Sequence, residues 1–258
     1  MIDNDMYDRL ADTWWQDGGF LNFLKAGLNP VRFGYMRQVI ANELKMAPAS
    51  LRALDVGCGG GLLAEEFARL GFEVTGVDPS ADSLKAARDH ALVAGLEIDY
   101  QAGTGESLPV PDAAFDLVYC CDVLEHVDSV DATLGEIARA LKPGGMFFYD
   151  TINRTWLSRL LHIKVSQDWK ATAWAEPGLH DWAHFIRPDE LDHSMRRAGL
   201  LTRDRVGFSS RSPVAALLAL RARAKGRIDY AELGSRLNLR TSRDFSGSYG
   251  GWAIKGAE

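Results

Sequence analysis

The stretch Leu51-Arg-Ala-Leu-Asp-Val-Gly-Cys-Gly-Gly-Gly61 constrains this chain more than any other. An apolar run breaks into glycines and then continues with helical spacing, so it reads as a buried strand, a tight turn and a helix. Asp78 stands twenty-one residues after Gly57, closing a second apolar run, Phe72–Asp78. Glycines let a ligand approach bare backbone. A carboxylate on the next strand accepts hydrogen bonds from ribose hydroxyls. Together the two mark a nucleoside-cofactor site.

The pattern continues on both sides of that site. Strands are expected at Ala53–Gly57, Glu73–Asp78, Ile98–Ala102, Phe115–Cys121, Gly145–Thr151, Leu200–Val206 and Gly250–Lys255. Helices are expected at Gly61–Leu70, Ser80–Ala94, Val130–Leu141 and Pro188–Ala198. Such alternation argues for an α/β fold of parallel βαβ units with helices on both faces of the sheet. Ligands then bind at the carboxyl ends of the strands. Residues 1–45 read as a helical, aromatic N-terminal cap, 51–151 as the cofactor-binding core and 152–258 as a substrate-side part of one domain. Two segments interrupt the rhythm, at 154–178 and 209–243.

Composition narrows the class. The 258 residues are 47% hydrophobic and 25% charged with net charge −6, so nothing draws the chain as a whole to nucleic acid. Three cysteines, Cys58, Cys120 and Cys121, are too few for a disulfide framework. On a strand the adjacent pair point to opposite faces. An acidic N-terminus and the lack of a long apolar run lead to the expectation of a cytoplasmic protein.

A dinucleotide fingerprint requires a third glycine where this chain has Leu62. No lysine follows with the spacing of a phosphate-binding loop. The arrangement resembles instead the class I methyltransferases that use S-adenosylmethionine and release S-adenosylhomocysteine. Asp55-Val-Gly-Cys-Gly-Gly-Gly61 matches their first motif, Asp78-Pro79 carries the ribose acid, and Gly103-Thr-Gly-Glu-Ser-Leu-Pro109 is similar to the loop over the adenine. Phe115–His126 and Leu141-Lys-Pro-Gly-Gly145 follow in the family's order. The resemblance implies a mostly parallel, Rossmann-like seven-stranded sheet whose last strand is antiparallel. It implies cofactor contacts from Asp55, Gly57, Gly59, Asp78, Pro79, Thr104, Gly105, Glu106 and Cys121. Cys121 would pack against the cofactor; direct transfer needs no covalent intermediate.

Segments outside the core sharpen the resemblance. Ala11-Asp-Thr-Trp-Trp-Gln16, Leu28–Tyr35, Thr151–Arg154, His180–Leu191 and Gly250–Lys255 are similar to the ubiquinone-biosynthesis O-methyltransferases. The family implies a phenol or catechol acceptor, with a polyprenylated quinone precursor among the candidates, and a cofactor contact from Arg32. Transfer to a nitrogen, a carbon or a carboxyl oxygen stays open on the residues alone, as does a non-catalytic binding module.

The proton of a hydroxyl acceptor needs a base. His126 is the first candidate, with His180 and His184 behind it, because imidazole accepts protons near neutral pH. Family members carry Glu-x-x-Glu-His where this chain has Asp122, Glu125 and His126, and are associated with Mg2+. These three residues either hold such an ion or order the loop and supply the base. Imidazole suits softer metals better than magnesium. Thr155–Val165 has the spacing of an amphipathic helix, expected as a peripheral membrane contact or as a lid. The 209–243 segment matches no part of the family in detail.

Overall fold

The computed structural model describes residues 5–44 and 47–256; residues 1–4, 45, 46, 257 and 258, the ends of the expected segments among them, lie outside the described residues. Helices α1 (Asp5–Leu10), α2 (Asn22–Ala26) and α3 (Asn29–Glu43) open the chain. The alternating core is β1 (Arg52–Val56), α4 (Leu62–Arg69), β2 (Glu73–Asp78), α5 (Ala81–Ala94), β3 (Ile98–Ala102), β4 (Phe115–Cys120), α6 (Val130–Ala140) and β5 (Leu141–Ile152). Then come α7 (Trp156–Ser158), which runs into π-helical turns at Arg159–Asp168, and α8 (Pro188–Arg197). The chain closes with β6 (Leu200–Ser210), α9 (Pro213–Ala224), α10 (Tyr230–Leu237), β7 (Leu239–Ser242) and β8 (Ser248–Lys255).

The sheet order is β3-β2-β1-β4-β5-β8-β6-β7. Strands β1 to β5 pair in parallel, and β8 runs antiparallel to both β5 and β6. The expected α/β architecture with an antiparallel last strand is therefore present, with eight strands instead of seven. The extra strand is β7. It comes from the 209–243 segment and pairs antiparallel with Gly207–Ser210, because β6 runs past its expected end at Val206. Its sequence, Leu-Arg-Thr-Ser, carries no apolar alternation, so no strand signal precedes it. A short charged edge strand also discourages pairing with other chains.

The core splits into two layers, one on each face of the sheet. Leu54, Val56, Val118, Cys120 and Phe147 pack with Leu134 and Ile137 of α6. Their strand neighbours Ala53, Leu117, Tyr119, Cys121 and Phe148 pack with Leu63 and Phe67 of α4 and Leu84 of α5. Cys120 and Cys121 thus fall on opposite faces, as a pleated strand requires. Phe67 stacks on Tyr119 at 4.1 Å and meets Phe33 edge-on at 5.4 Å, which ties α3 to the sheet through α4. Replacing such a ring by alanine costs about 3–5 kcal/mol. Among the described residues no helix is long and apolar enough to cross a membrane.

Candidate functional site

The turn after β1 is pinned to the neighbouring strand. The Val77 carbonyl accepts the N–H groups of Gly57 at 2.8 Å and Cys58 at 3.0 Å. Gly57, Gly59 and Gly61 have φ of +73°, +50° and +82°, a region costly for residues with a Cβ. Space also demands glycine: a Cβ on Gly57 would lie 2.3 Å from Val123 Cγ2. Asp78 closes the turn from the side. Its Oδ2 accepts Gly59 N–H at 2.8 Å and its Oδ1 accepts Ser80 N–H at 2.9 Å. Burial pushes this carboxyl up to about 6, against the pull of those two N–H groups. A carboxylate has about four acceptor sites, so capacity remains for ligand hydroxyls.

This turn floors a cavity of about 380 Å³, within the usual range for small-molecule sites. All ten residues expected at the cofactor, from Arg32 to Cys121, line it. Thr104, Gly105 and Glu106 form one wall. Glu106 Oε1 accepts Asp128 N–H at 2.9 Å and so joins that wall to the loop after β4. Asp55 lies deeper, with Oδ2 buried and lacking a partner. Burial raises its carboxyl to about 8, and the positive charge of Arg32 opposes the rise. Burial also raises the Cys121 thiol well above its usual value.

Residues outside the expected cofactor contacts complete the cavity. Trp14 lies flat against the glycines; a Cβ on Gly59 or Gly60 would come within 2.4 or 2.3 Å of its ring. Its Nε1 donates to Ser83 Oγ at 3.0 Å, while Trp15 Nε1 donates to the Gly60 carbonyl at 2.7 Å. Tyr7 lines the cavity and meets His126 edge-on at 6.1 Å. Asp150 was not a candidate, yet it is 2% exposed and accepts from Arg32 Nη1 at 3.1 Å and from Asp122 N–H at 2.9 Å. A long-range ion pair of this kind leaves no local spacing signal.

His126 lines the cavity beside Val127, and its ring centroid is 5.4 Å from that of His180. His162, which carries no sequence signal, lies 5.9 Å from His180. Burial lowers His126 and His162 to about 4 and His180 well below its usual value, so the near-neutral imidazole expected at His126 is not what the fold provides: it stays neutral and able to accept a proton, but is a weaker base than the sequence implied. His184 lines a second concavity with Arg154 and Glu190, near enough to His126 to contribute to its lowered pKa.

The trio considered for magnesium is rearranged. Asp122 Oδ2 sits 2.5 Å from Arg32 Nη1, so its charge is committed. Among the described residues, the group of three metal-ligating side chains that the fold brings within 4.8 Å of one another is Glu125, His126 and His180. One carboxylate and two imidazoles do not fit magnesium, which prefers oxygen ligands throughout.

A Rossmann-like, mostly parallel sheet with a glycine turn after β1, an acid at the end of β2 and a cavity at the strand ends is the frame of an S-adenosylmethionine-dependent methyltransferase fold. Residues 54–149 match a family described as a methyltransferase domain. Among curated relatives, a ubiquinone biosynthesis O-methyltransferase of Chelativorans sp. (strain BNC1) is 40% identical over 209 residues, covering 79% of this chain and 81% of the relative. One of the same name from Bradyrhizobium sp. (strain ORS 278) is 41% identical, covering 72% and 74%. A methyltransferase structure from Thermotoga maritima superposes with TM-score 0.63 at 19% identity, over 97% of this chain and 99% of that one. Another from Aquifex aeolicus gives 0.60 at 12% identity, over 99% and 100%. The chain belongs to the ubiquinone biosynthesis O-methyltransferase family. It is an S-adenosylmethionine-dependent methyltransferase, and its acceptor is a small molecule.

Proposed function

We propose that the chain, acting as one domain, methylates a hydroxyl of a phenol or catechol, and that this acceptor is a quinone precursor. The reading is supported most by one cavity that joins the glycine turn and Asp78 to His126. The family name of the relatives supplies the quinone pathway. S-Adenosylmethionine, when bound, supplies a sulfonium methyl already activated for in-line displacement. The residues present suit it. Asp78 accepts from ribose hydroxyls, Thr104–Glu106 with Pro79 flank the base, and Gly57 and Gly59 admit the backbone contact. The unpartnered Asp55 Oδ2 is an acceptor for the ammonium end, and Arg32 is the nearby cation for the carboxylate end. Cys121 fills space against the sulfonium.

The protein then positions acceptor and donor and excludes water. His126 faces the acceptor oxygen and takes its proton as the O–CH3 bond forms and the S–CH3 bond breaks. His180 stands behind His126, while His184 lies in the second concavity, so His126 comes first. No step passes through magnesium. The test is a panel of phenols and catechols with a labelled methyl donor. Label in an aryl methyl ether is the expected product, and failure on every oxygen acceptor overturns the reading.

We also infer a cytoplasmic location with peripheral membrane contact through α7 and the π-helical turns. Trp156 is 75% exposed, and Leu157, Leu160 and Leu161 are exposed beside it. Exposed apolar side chains suit an interface better than a lid packed inward. Co-sedimentation with anionic liposomes tests this, and absence of binding overturns it.

A further inference from the structure

We propose that Glu125, His126 and His180 form a site for a divalent transition-metal ion of the zinc or iron(II) class, and that Asp122 is not one of its ligands. Each of the three offers a ligand atom within 4.8 Å of the other two. Ligands roughly 2.0–2.2 Å from a shared ion lie up to about 4.4 Å apart, so small side-chain rotations close the site. Two imidazoles with one carboxylate are the donor set that such ions take, with positions left open.

Two further observations point to a ligand. Glu125 is 3% exposed, and its Oε1 is buried without a hydrogen-bond partner. His180 Nδ1 is likewise buried and unpartnered. Leaving buried polar atoms unpaired is unfavourable, so an occupant is favoured. The surrounding contacts hold the same groups in place. Thr151 Oγ1 donates to Glu125 Oε2 at 2.8 Å, which orients the carboxylate and leaves Oε1 free. The His180 backbone is clamped by Gln167, which accepts its N–H at 2.7 Å and donates to its carbonyl at 3.2 Å. Outer partners of this kind are a regular part of metal sites. Asp122 is held away by Arg32 at 2.5 Å.

The site joins the loop after β4 to the segment that follows the 154–178 insertion, so an ion would cross-link that segment to the core. It opens toward the cavity through His126. In the metal-loaded chain His126 is a ligand; in the metal-free chain it is free to take the acceptor proton. The inference thus bears on the proposed base, but its test uses neither donor nor acceptor.

The full chain, freed of metal by a chelator, is titrated calorimetrically with Zn2+ and with Mg2+, and with Co2+ as an absorption probe. One Zn2+ per chain is expected, bound at least about 100-fold more tightly than Mg2+, with a raised melting temperature. Glu125→Gln and His180→Ala each weaken Zn2+ by about 100-fold, while Asp122→Asn changes it less than about threefold. His180→Cys keeps an ion and adds a sulfur-to-cobalt charge-transfer band that the folded wild type, whose three cysteines are buried, lacks; wild-type S-adenosylhomocysteine affinity in the same sample shows that the variant is folded. Mg2+ binding as tight as Zn2+, no Zn2+ binding, undiminished Zn2+ affinity in His180→Ala, or equal losses in Asp122→Asn and Glu125→Gln would each overturn the proposal. S-Adenosylhomocysteine affinity, measured on the same samples, reports separately on the cofactor site.

Discussion

Arg32 Nη1 lies 2.5 Å from Asp122 Oδ2 and 3.1 Å from Asp150 Oδ2, so a single nitrogen joins α3 to the ends of β4 and β5. Asp150 also receives the Asp122 N–H, which holds Asp122 at φ +55°. The network fixes the cap, the cavity wall and an unfavourable backbone conformation together. Arg32→Ala leaves two carboxylates facing each other. The expected loss is about 3 kcal/mol in urea unfolding, the low end for a broken buried pair, because Asp122 remains 32% exposed and screened. Arg32→Lys should not rescue cofactor affinity, since a flexible point charge does not replace the planar fork. Wild-type affinity for S-adenosylhomocysteine in Arg32→Lys would remove Arg32 from the cofactor contacts.

Gly57 is excluded from substitution twice, by φ +73° and by Val123 Cγ2. The two causes separate in a double mutant. Gly57→Ala should destabilise by roughly 1–2 kcal/mol from backbone strain and by roughly 1–3 kcal/mol more from the clash. Removing the valine methyls in Gly57→Ala/Val123→Ala relieves only the clash. A coupling energy of about 1–3 kcal/mol is expected from the four unfolding curves. Strict additivity would mean that Val123 does not crowd the turn.

Trp14 covers Gly59 and Gly60 and reaches Ser83, so the N-terminal segment is part of the cavity proposed for the cofactor. Trp14→Ala should lower stability by about 3–5 kcal/mol and weaken S-adenosylhomocysteine binding. Trp14→Phe keeps most of the cover and loses only the indole N–H contact, so its effect should be smaller in both measurements. Ligand-induced quenching of tryptophan emission should also fall in Trp14→Phe. Full quenching and full affinity in Trp14→Ala would place the segment outside the site.

How much of this could be read from the chain depended on whether the determinants were local. The glycine turn, Asp78 and the alternation of β1 to β5 are short-range patterns, and they appear where the spacing put them. Strand β7 escaped because Leu239–Ser242 becomes a strand only by pairing with the extended end of β6. Asp150 escaped for a similar reason: it is buried by contacts with Arg32 and Asp122, 118 and 28 residues away in the chain. Sequence adjacency misled at Asp122, which shares a loop with Glu125 and His126 but turns to Arg32. His180 takes its place beside them from a segment that no spacing rule connects to that loop.

Asp78 should make cofactor binding depend on pH. Its carboxyl is raised from about 3.8 to about 6 in the folded chain, chiefly by burial. Ionising it therefore costs the folded state, and the associated stability is fully present below about 3.8 and is lost as pH rises through about 6. In the proposed cofactor pose ribose hydroxyls donate to the ionised form, so bound cofactor would pull the carboxyl back down. Affinity should then climb with pH up to about 6 and level off above it, with a slope below that point approaching tenfold per pH unit. Asp55, raised to about 8, adds a second rise at higher pH if it meets the ammonium end. The difference between wild type and Asp78→Asn isolates the lower step, because the amide has no proton to lose. Calorimetric titration with S-adenosylhomocysteine from about pH 5 to about pH 8 measures both profiles. A wild-type profile with no step near pH 6, or one that Asp78→Asn reproduces, would show that this carboxylate does not hold the ribose.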